Sequence, residues 1–344
     1  FGLSRPPFKI TPDASMFFSG GDRGDALDAL IYAIMNGEGI VKVVGEVGSG
    51  KTMLCRMLEL KLPDTVEIVY IANPKLSPDN ILQVIAFELH LELDDDASRL
   101  EAMQKLQQYL LERHAAGKQV VVFVEEAQGM PIATLEEIRL ISNLETDQHK
   151  LLQIVLFGQP ELDDNLSCNE IRQLRERITH SFYLEPFTNE EILRYLNFRM
   201  TVAGYHGPDI FNQQSAKLIE KTSKGLLRRI NILADKTLIC AFSEQTHTVT
   251  KKHILRAVAD SEFNDNIPKP NWIKPVAYAA CLLLFLGIGF AAATLWLDLS
   301  YQERRPLPIS IDVSASVPEH HPLSRTEPSQ EAVSTKSSSN LSSS

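Results

Sequence analysis

Val41-Lys42-Val43-Val44-Gly45-Glu46-Val47-Gly48-Ser49-Gly50-Lys51-Thr52 decides how the rest of this chain is read. A β-branched run enters the pattern G-x-x-x-x-G-K-[ST], and helical spacing starts near Lys51. A glycine-rich surface turn would need neither the strand before it nor the helix after it. Glycines let the backbone curl until its N–H groups face phosphate oxygens, and the helix start adds its positive dipole end. Gly45, Gly48, Ser49, Gly50, Lys51 and Thr52 are therefore expected to bind ATP. Lys51 would reach the β- and γ-phosphates, and Thr52 would hold Mg²⁺.

Working outward, the apolar run Val120–Val124 ends directly in Glu125 and Glu126. Two acids at a strand end are unremarkable alone, but beside a phosphate loop they read as a Walker B pair. Glu125 is expected to orient the Mg²⁺ shell and Glu126 to polarise the attacking water. The first acid of such pairs is usually Asp. Glu125 is one methylene longer, which bears on turnover because Mg²⁺ demands near-octahedral geometry.

Further strands are expected at 41–44, 66–71, 153–157 and 182–184, with helices near 25–35, 78–91, 98–115 and 133–144. Alternating β and α elements argue for an α/β fold, a parallel sheet flanked by helices. From Thr188 the strand signals stop, and four helical patterns follow to about Glu262, as in a small all-α lid.

Residues 275–297 read PVAYAACLLLFLGIGFAAATLWL, with no charged residue, and are expected to form one transmembrane helix. Trp272, Lys274, Trp296 and Tyr301 suit interfacial anchoring. Lys269 and Lys274 precede the run and Arg304 and Arg305 follow it, so charge does not orient it; the cytosolic location of ATP does. The chain starts at Phe1 rather than Met and shows no signal-peptide pattern there. The expected division is 1–187 ATPase core, 188–263 helical lid, 264–274 juxtamembrane linker, 275–297 transmembrane helix and 298–344 disordered Ser-rich tail.

A net charge of −10 over 344 residues carries no global basic field, so no nucleic acid is expected as a partner. Basic residues at Lys221, Lys224, Arg228 and Arg229 are the only support for a DNA-directed role. Cys55, Cys168, Cys240 and Cys281 lack metal or CxxC spacing and fit reduced thiols.

Several motifs in order make the chain similar to a known family. Phe1-Gly2-Leu3, Pro7-Phe8 and Thr11-Pro12-Asp13 open it, followed by Tyr32-Ala33-Ile34, the GEVGSGKT loop and Leu54-Cys55-Arg56. Glu126-Ala127-Gln128, Leu140–Glu145 and Phe157-Gly158-Gln159-Pro160-Glu161-Leu162 complete the set. The resemblance, over about 1–263, is to the AAA ATPases of the general secretion pathway protein A type, which include the ATPase of mannose-sensitive haemagglutinin pilus biogenesis.

That resemblance implies further roles. Gln159 would read the γ-phosphate as sensor 1. Arg175 and Arg177 lie where such proteins carry an arginine finger, Arg177 being favoured. Arg228, in Gly225-Leu-Leu-Arg-Arg-Ile-Asn231, would be sensor 2, with Leu227 where a Pro is usual; Arg229 is its neighbouring alternative. The resemblance also implies a homo-oligomer at a bacterial inner membrane, with its ATPase cytoplasmic and its tail periplasmic, near the cell wall. It would serve an inner-membrane or envelope assembly protein of type II secretion or of a type IV-like pilus. Larger members continue into a peptidoglycan-binding domain, whose role is not carried over to the tail here. A scaffold that binds nucleotide with little turnover is the other reading, prompted by Glu125 and Leu227.

Overall fold

The computed structural model describes residues 1–94, 97–261, 287 and 289–296. Two compact units, 1–268 and 269–344, are distinguished. In the first, β1 (Ile40–Val44), β2 (Val66–Ile71), β3 (Gln119–Val124), β4 (Leu152–Gly158) and β5 (Ile178–Tyr183) form one parallel sheet, ordered β2-β3-β4-β1-β5. Around it run α1 (Arg23–Met35), α2 (Lys51–Lys61), α3 (Pro78–Glu88), α4 (Arg99–Ala115), α5 (Ile132–Ile141) and the short α6 (Glu161–Leu166) and α7 (Arg172–Arg175).

Why these runs are strands is visible in β3. Val120, Val122 and Val124 enter the core beneath α3, α4 and α5, while Val121 and Phe123 enter the opposite core with α1 and α2. A strand covered on both faces needs no polar alternation, so an unbroken β-branched run is what a central parallel strand requires. Edge strand β5 differs. Its Thr179, His180 and Ser181 are exposed, so only its apolar end at 182–184 is legible, and the strand starts earlier than expected. The other four strands lie where the apolar runs predict, and α3 and α5 end about one turn sooner.

After β5 the chain is helical: α8 (Asn189–Val202), α9 (Gln213–Ser223), α10 (Leu227–Ser243) and α11 (Lys251–Ala259). Thr188 caps α8 in a box with Glu191, each satisfying the other's backbone N–H. Leu196, Ile219, Ile230, Leu233 and Ile254 share a separate core. That core also takes in Phe8, edge-on to Phe211 at 5.9 Å. The first residues thus pack on the helical part rather than on the sheet, held by Ser4 N and Oγ on the Ala203 carbonyl, each at 2.9 Å. Gly225, at φ 73°, lets the turn before α10 pass against Phe187, whose carbonyl oxygen would lie 2.5 Å from any Cβ there.

In the second unit, 289–296 are helical, with Phe290, Leu295 and Trp296 exposed. The expected linker at 264–274, the tail at 298–344 and most of the expected transmembrane span at 275–297 lie outside the described residues. Among the described residues no helix is long and apolar enough to cross a membrane.

Candidate functional site

Strand order brings the functional loops together. β1 lies beside β4, and β4 beside β3, so the turns leaving their C-terminal ends are neighbours. Those turns carry the phosphate loop, Gln159 and the Glu125–Glu126 pair. Parallel sheets bind ligands at this end, outside the carboxyl ends of the strands.

Gly48 and Gly50 adopt φ values of 82° and 107°, open to glycine and strained for other residues. Space adds a second constraint at Gly48, where a Cβ would lie 2.6 Å from that of Arg228. The Lys51 ammonium is folded back on the loop, donating to the Gly45 carbonyl at 2.8 Å and the Glu46 carbonyl at 3.2 Å. Burial holds its pKa below the usual lysine value, partly offset by Glu126, Glu46, Glu125 and Glu161. Ser49 is buried, and its hydroxyl has no hydrogen-bond partner among the described residues.

A cavity of about 500 Å³ opens beside the loop. The loop lines it with Val47, Gly48 and Gly50 to Met53, and Glu126 reaches it from β3. Leu227, Arg228 and Asn231 face it from α10, and Tyr195 and Arg199 from α8. The segment from Lys9 to Phe18 covers another side through Ile10, Pro12, Met16, Phe17 and Phe18. Lys51, Thr52, Glu126 and Arg228 therefore meet at one concavity, which Phe17, Phe18 and Leu227 line with apolar surface. Arg228 is exposed, and its backbone N–H donates to the Gly48 carbonyl at 3.1 Å, tying the helical part to the phosphate loop. Arg229 does not line the cavity.

Glu126 stands at φ 51°, an uncommon conformation for a non-glycine residue and one found at functional turns. Its Oε2 accepts from Gln128 Nε2 at 2.6 Å and from Gln159 Nε2 at 2.8 Å. Burial would raise its pKa, but those two donors and the Lys51 charge hold it below the usual carboxylate value. Glu125 lies one residue earlier, half-buried and outside the cavity lining, beside Tyr70 and with Oε1 buried and without a hydrogen-bond partner among the described residues. The Glu125 carboxylate oxygen and the Thr52 hydroxyl are hard oxygen donors, the ligand chemistry that fits Mg²⁺.

Gln159 touches Glu126 without lining the cavity, and Arg177 stays apart. Arg177 precedes β5, at the end of the sheet opposite the phosphate loop, and its Nη1 donates to Ser142 Oγ at 3.3 Å. Six strand residues at about 3.3 Å each separate it from that loop's level. Arg175 is exposed on α7.

Two functional elements escape the sequence reading. Gln128 lies inside the Glu-Ala-Gln motif, where nothing marks it beyond the motif itself. Arg23, at the start of α1, is 4% exposed and also lines the cavity. Its Nη1 donates to the Gly21 carbonyl at 2.7 Å, and its Nη2 to the carbonyls of Glu185 at 2.6 Å and Ser49 at 3.3 Å. The guanidinium also covers the Phe187 ring at 4.2 Å. Burial lowers its pKa to about 10, so it remains a cation. Arg23 thereby clamps the phosphate loop to the segment joining β5 and α8. Arg23→Leu would leave three carbonyls without their donor, a loss of about 3 kcal/mol, or roughly 6–12 °C in Tm by differential scanning calorimetry. Arg23→Lys, lacking the planar fork, is expected to fall between the two. A leucine variant that melts with the wild type removes the clamp.

With this geometry in hand, comparison with known proteins is informative. Residues 34–166 match the model of an AAA domain. The chain is 37% identical over 317 residues to general secretion pathway protein A of Aeromonas hydrophila, covering 92% of this chain and 57% of that protein. It therefore spans little more than half the length of that relative. Among solved structures, the Aeropyrum pernix ORC2 protein in its ADPNP–ADP complexes is similar at TM-score 0.55 and 16% identity, over 75% of this chain and 73% of that one. Cdc6p from Pyrobaculum aerophilum is similar at TM-score 0.55 and 19% identity, over 74% and 72%. At that identity they show the fold alone. The resemblance read from the motifs is borne out.

Proposed function

We propose, for an AAA protein related to general secretion pathway protein A, that this chain binds and hydrolyses MgATP and that hydrolysis works on an envelope assembly. The observation that supports it is the convergence of Lys51, Thr52, Glu126 and Arg228 on one cavity at the phosphate loop. The loop's N–H groups cradle the phosphates, and Lys51 leaves its carbonyl partners for the β- and γ-oxygens. Thr52 and Glu125 would hold Mg²⁺, which when bound neutralises charge on those oxygens. Glu126 orients the attacking water, Gln159 reads the γ-phosphate, and Arg228 reports it to the helical part. Arg177 acts on a neighbouring subunit's nucleotide, because it is too far from its own. The anchor is the apolar run at 275–297, which keeps the ATPase on the cytoplasmic side of a bacterial inner membrane. The partner is an assembly protein of type II secretion or of a type IV-like pilus, and the periplasmic tail lies near the cell wall.

Hydrolysis by the full chain over a range of protein concentrations tests this. Activity per subunit is expected to rise with concentration and to be lost in Arg177→Ala, by about 10³-fold or more, with MgATP affinity intact. Activity that is independent of concentration and of Arg177 sinks the trans finger. Tight MgATP binding without turnover, in the membrane and in detergent alike, leaves the nucleotide-dependent scaffold. A net charge of −10 supports a role without nucleic acid, and salt-sensitive binding to duplex DNA would count against it.

A further inference from the structure

We infer that Gln128 is a positioning residue for hydrolysis, holding the Glu126 carboxylate in the orientation that presents its second oxygen to water. This inference rests on the ATPase reading and extends it to a residue outside the expected site.

Three side chains close a ring. Gln128 Nε2 donates to Glu126 Oε2 at 2.6 Å, and Gln159 Nε2 donates to the same oxygen at 2.8 Å. Gln159 N donates to Gln128 Oε1 at 3.0 Å, which completes the circuit between the ends of β3 and β4. Gln128 is itself fixed from α6, where Asn165 Nδ2 donates to its carbonyl at 2.9 Å. The tight turn at 127–129, closed by Gly129 N on the Glu126 carbonyl at 2.8 Å, folds the Gln128 side chain back on Glu126.

Residue type follows from that circuit. The side chain at 128 must accept one hydrogen bond and donate another, with the reach of three side-chain carbons. A carboxamide does both; leucine does neither, lysine cannot accept, and an ionised glutamate cannot donate. The terminal torsion of a glutamate is broad, so an exposed carboxylate samples many orientations. Two donors on Oε2 remove that freedom and leave Oε1 free of both amides. Neighbouring charges do not substitute for them. Lys51 donates to loop carbonyls, and Glu46, Glu125 and Glu161 are acids. Arg228 stands across the cavity on α10.

The experiment uses the full chain, with kcat, the MgATP KM, the dissociation constant of a fluorescent ADP analogue, Tm, and the nucleotide retained after rapid desalting. Gln128→Leu is expected to lower kcat by about 10²-fold, the scale of a misplaced reacting group, with KM and ADP affinity within about twofold. The retained nucleotide should change from ADP to ATP. Gln128→Glu keeps the acceptor for Gln159 N and opposes two carboxylates, so kcat should fall at least as far. Combining Gln128→Leu with Gln159→Leu should lose less than the product of the single losses, because both hold one oxygen. Unchanged kcat in Gln128→Leu overturns the inference. So does a kcat loss matched by equal losses of nucleotide affinity and Tm in both single variants, or strictly multiplicative losses in the pair. A wild type that binds MgATP without turning it over overturns the ATPase reading itself, and the Gln128 role with it; that arm is read before any variant.

Discussion

Lys51→Ala is expected to abolish hydrolysis and weaken MgATP binding by two to three orders of magnitude, with the fold left intact. Among the described residues the ammonium hydrogen-bonds only to the Gly45 and Glu46 carbonyls, beside a cavity. Burial disfavours its charged form, as the lowered pKa shows, which offsets part of what those two hydrogen bonds contribute to the folded chain without nucleotide. The phosphates are different. Two charge-assisted hydrogen bonds to the β- and γ-oxygens contribute roughly 3–4 kcal/mol, on the order of 10²–10³ in Kd.

Calorimetry separates the two effects. At a nucleotide concentration near 100 Kd, wild type gains about 2.7 kcal/mol of stability, or roughly 5–10 °C. Raising Kd a hundredfold leaves the variant about 0.4 kcal/mol at the same concentration. The Tm without nucleotide should stay within a few degrees of that of wild type. A variant that keeps its MgATP shift would take the phosphate contact away from Lys51. One that melts far below wild type without nucleotide would make Lys51 a structural cation.

Much of this site is legible because its chemistry is local. Gly45 to Thr52 is a run of eight residues, and glycine conformation, phosphate geometry and the helix start all act within that stretch. The Glu125–Glu126 pair is legible for a similar reason: a doubly buried strand must be apolar until it emerges, and the first acids mark where. What sequence does not display is the other half of the cavity. Its walls come from 9–18, from α8 and from α10, brought together by packing across nearly two hundred residues. Arg199 illustrates the difficulty. Its guanidinium is buried on the Pro7 and Lys9 carbonyls and on Tyr195, whose hydroxyl donates to Asn231. In the sequence it is one of two arginines on an amphipathic helix. Arg23 and Gln128 share that ambiguity, since a polar residue beside a turn is ordinarily solvated.

The N-terminal segment connects these observations to mechanism. It packs on the helical core through Phe8, covers the cavity through 9–18, and ends at Arg23, which grips the Ser49 carbonyl. Arg228 approaches the same loop from the other side through its bond to the Gly48 carbonyl. A phosphate loop bonded through its Ser49 and Gly48 carbonyls is coupled to the helical part by packed contacts, so a nucleotide bound there would act on that part without a separate lever. Differential contacts of this kind are what a ligand needs to shift a conformational equilibrium.

Glu126→Gln separates binding from chemistry. The carboxamide keeps an oxygen for the Gln128 and Gln159 donors, so the ring of three side chains survives. It cannot polarise water as a carboxylate does, and loss of a positioned base costs about 10²–10⁴-fold in kcat. Removing one negative charge beside Lys51 also favours the phosphates, so MgATP affinity should hold or tighten. The variant is therefore expected to retain ATP rather than ADP after gel filtration, at a stoichiometry measured by ion-exchange chromatography of the released nucleotide. If subunits associate around nucleotide, its oligomer should also outlast that of wild type on dilution. Turnover within a few-fold of wild type would move the role to Glu125, whose unpartnered Oε1 would then belong to the chemistry rather than to the metal.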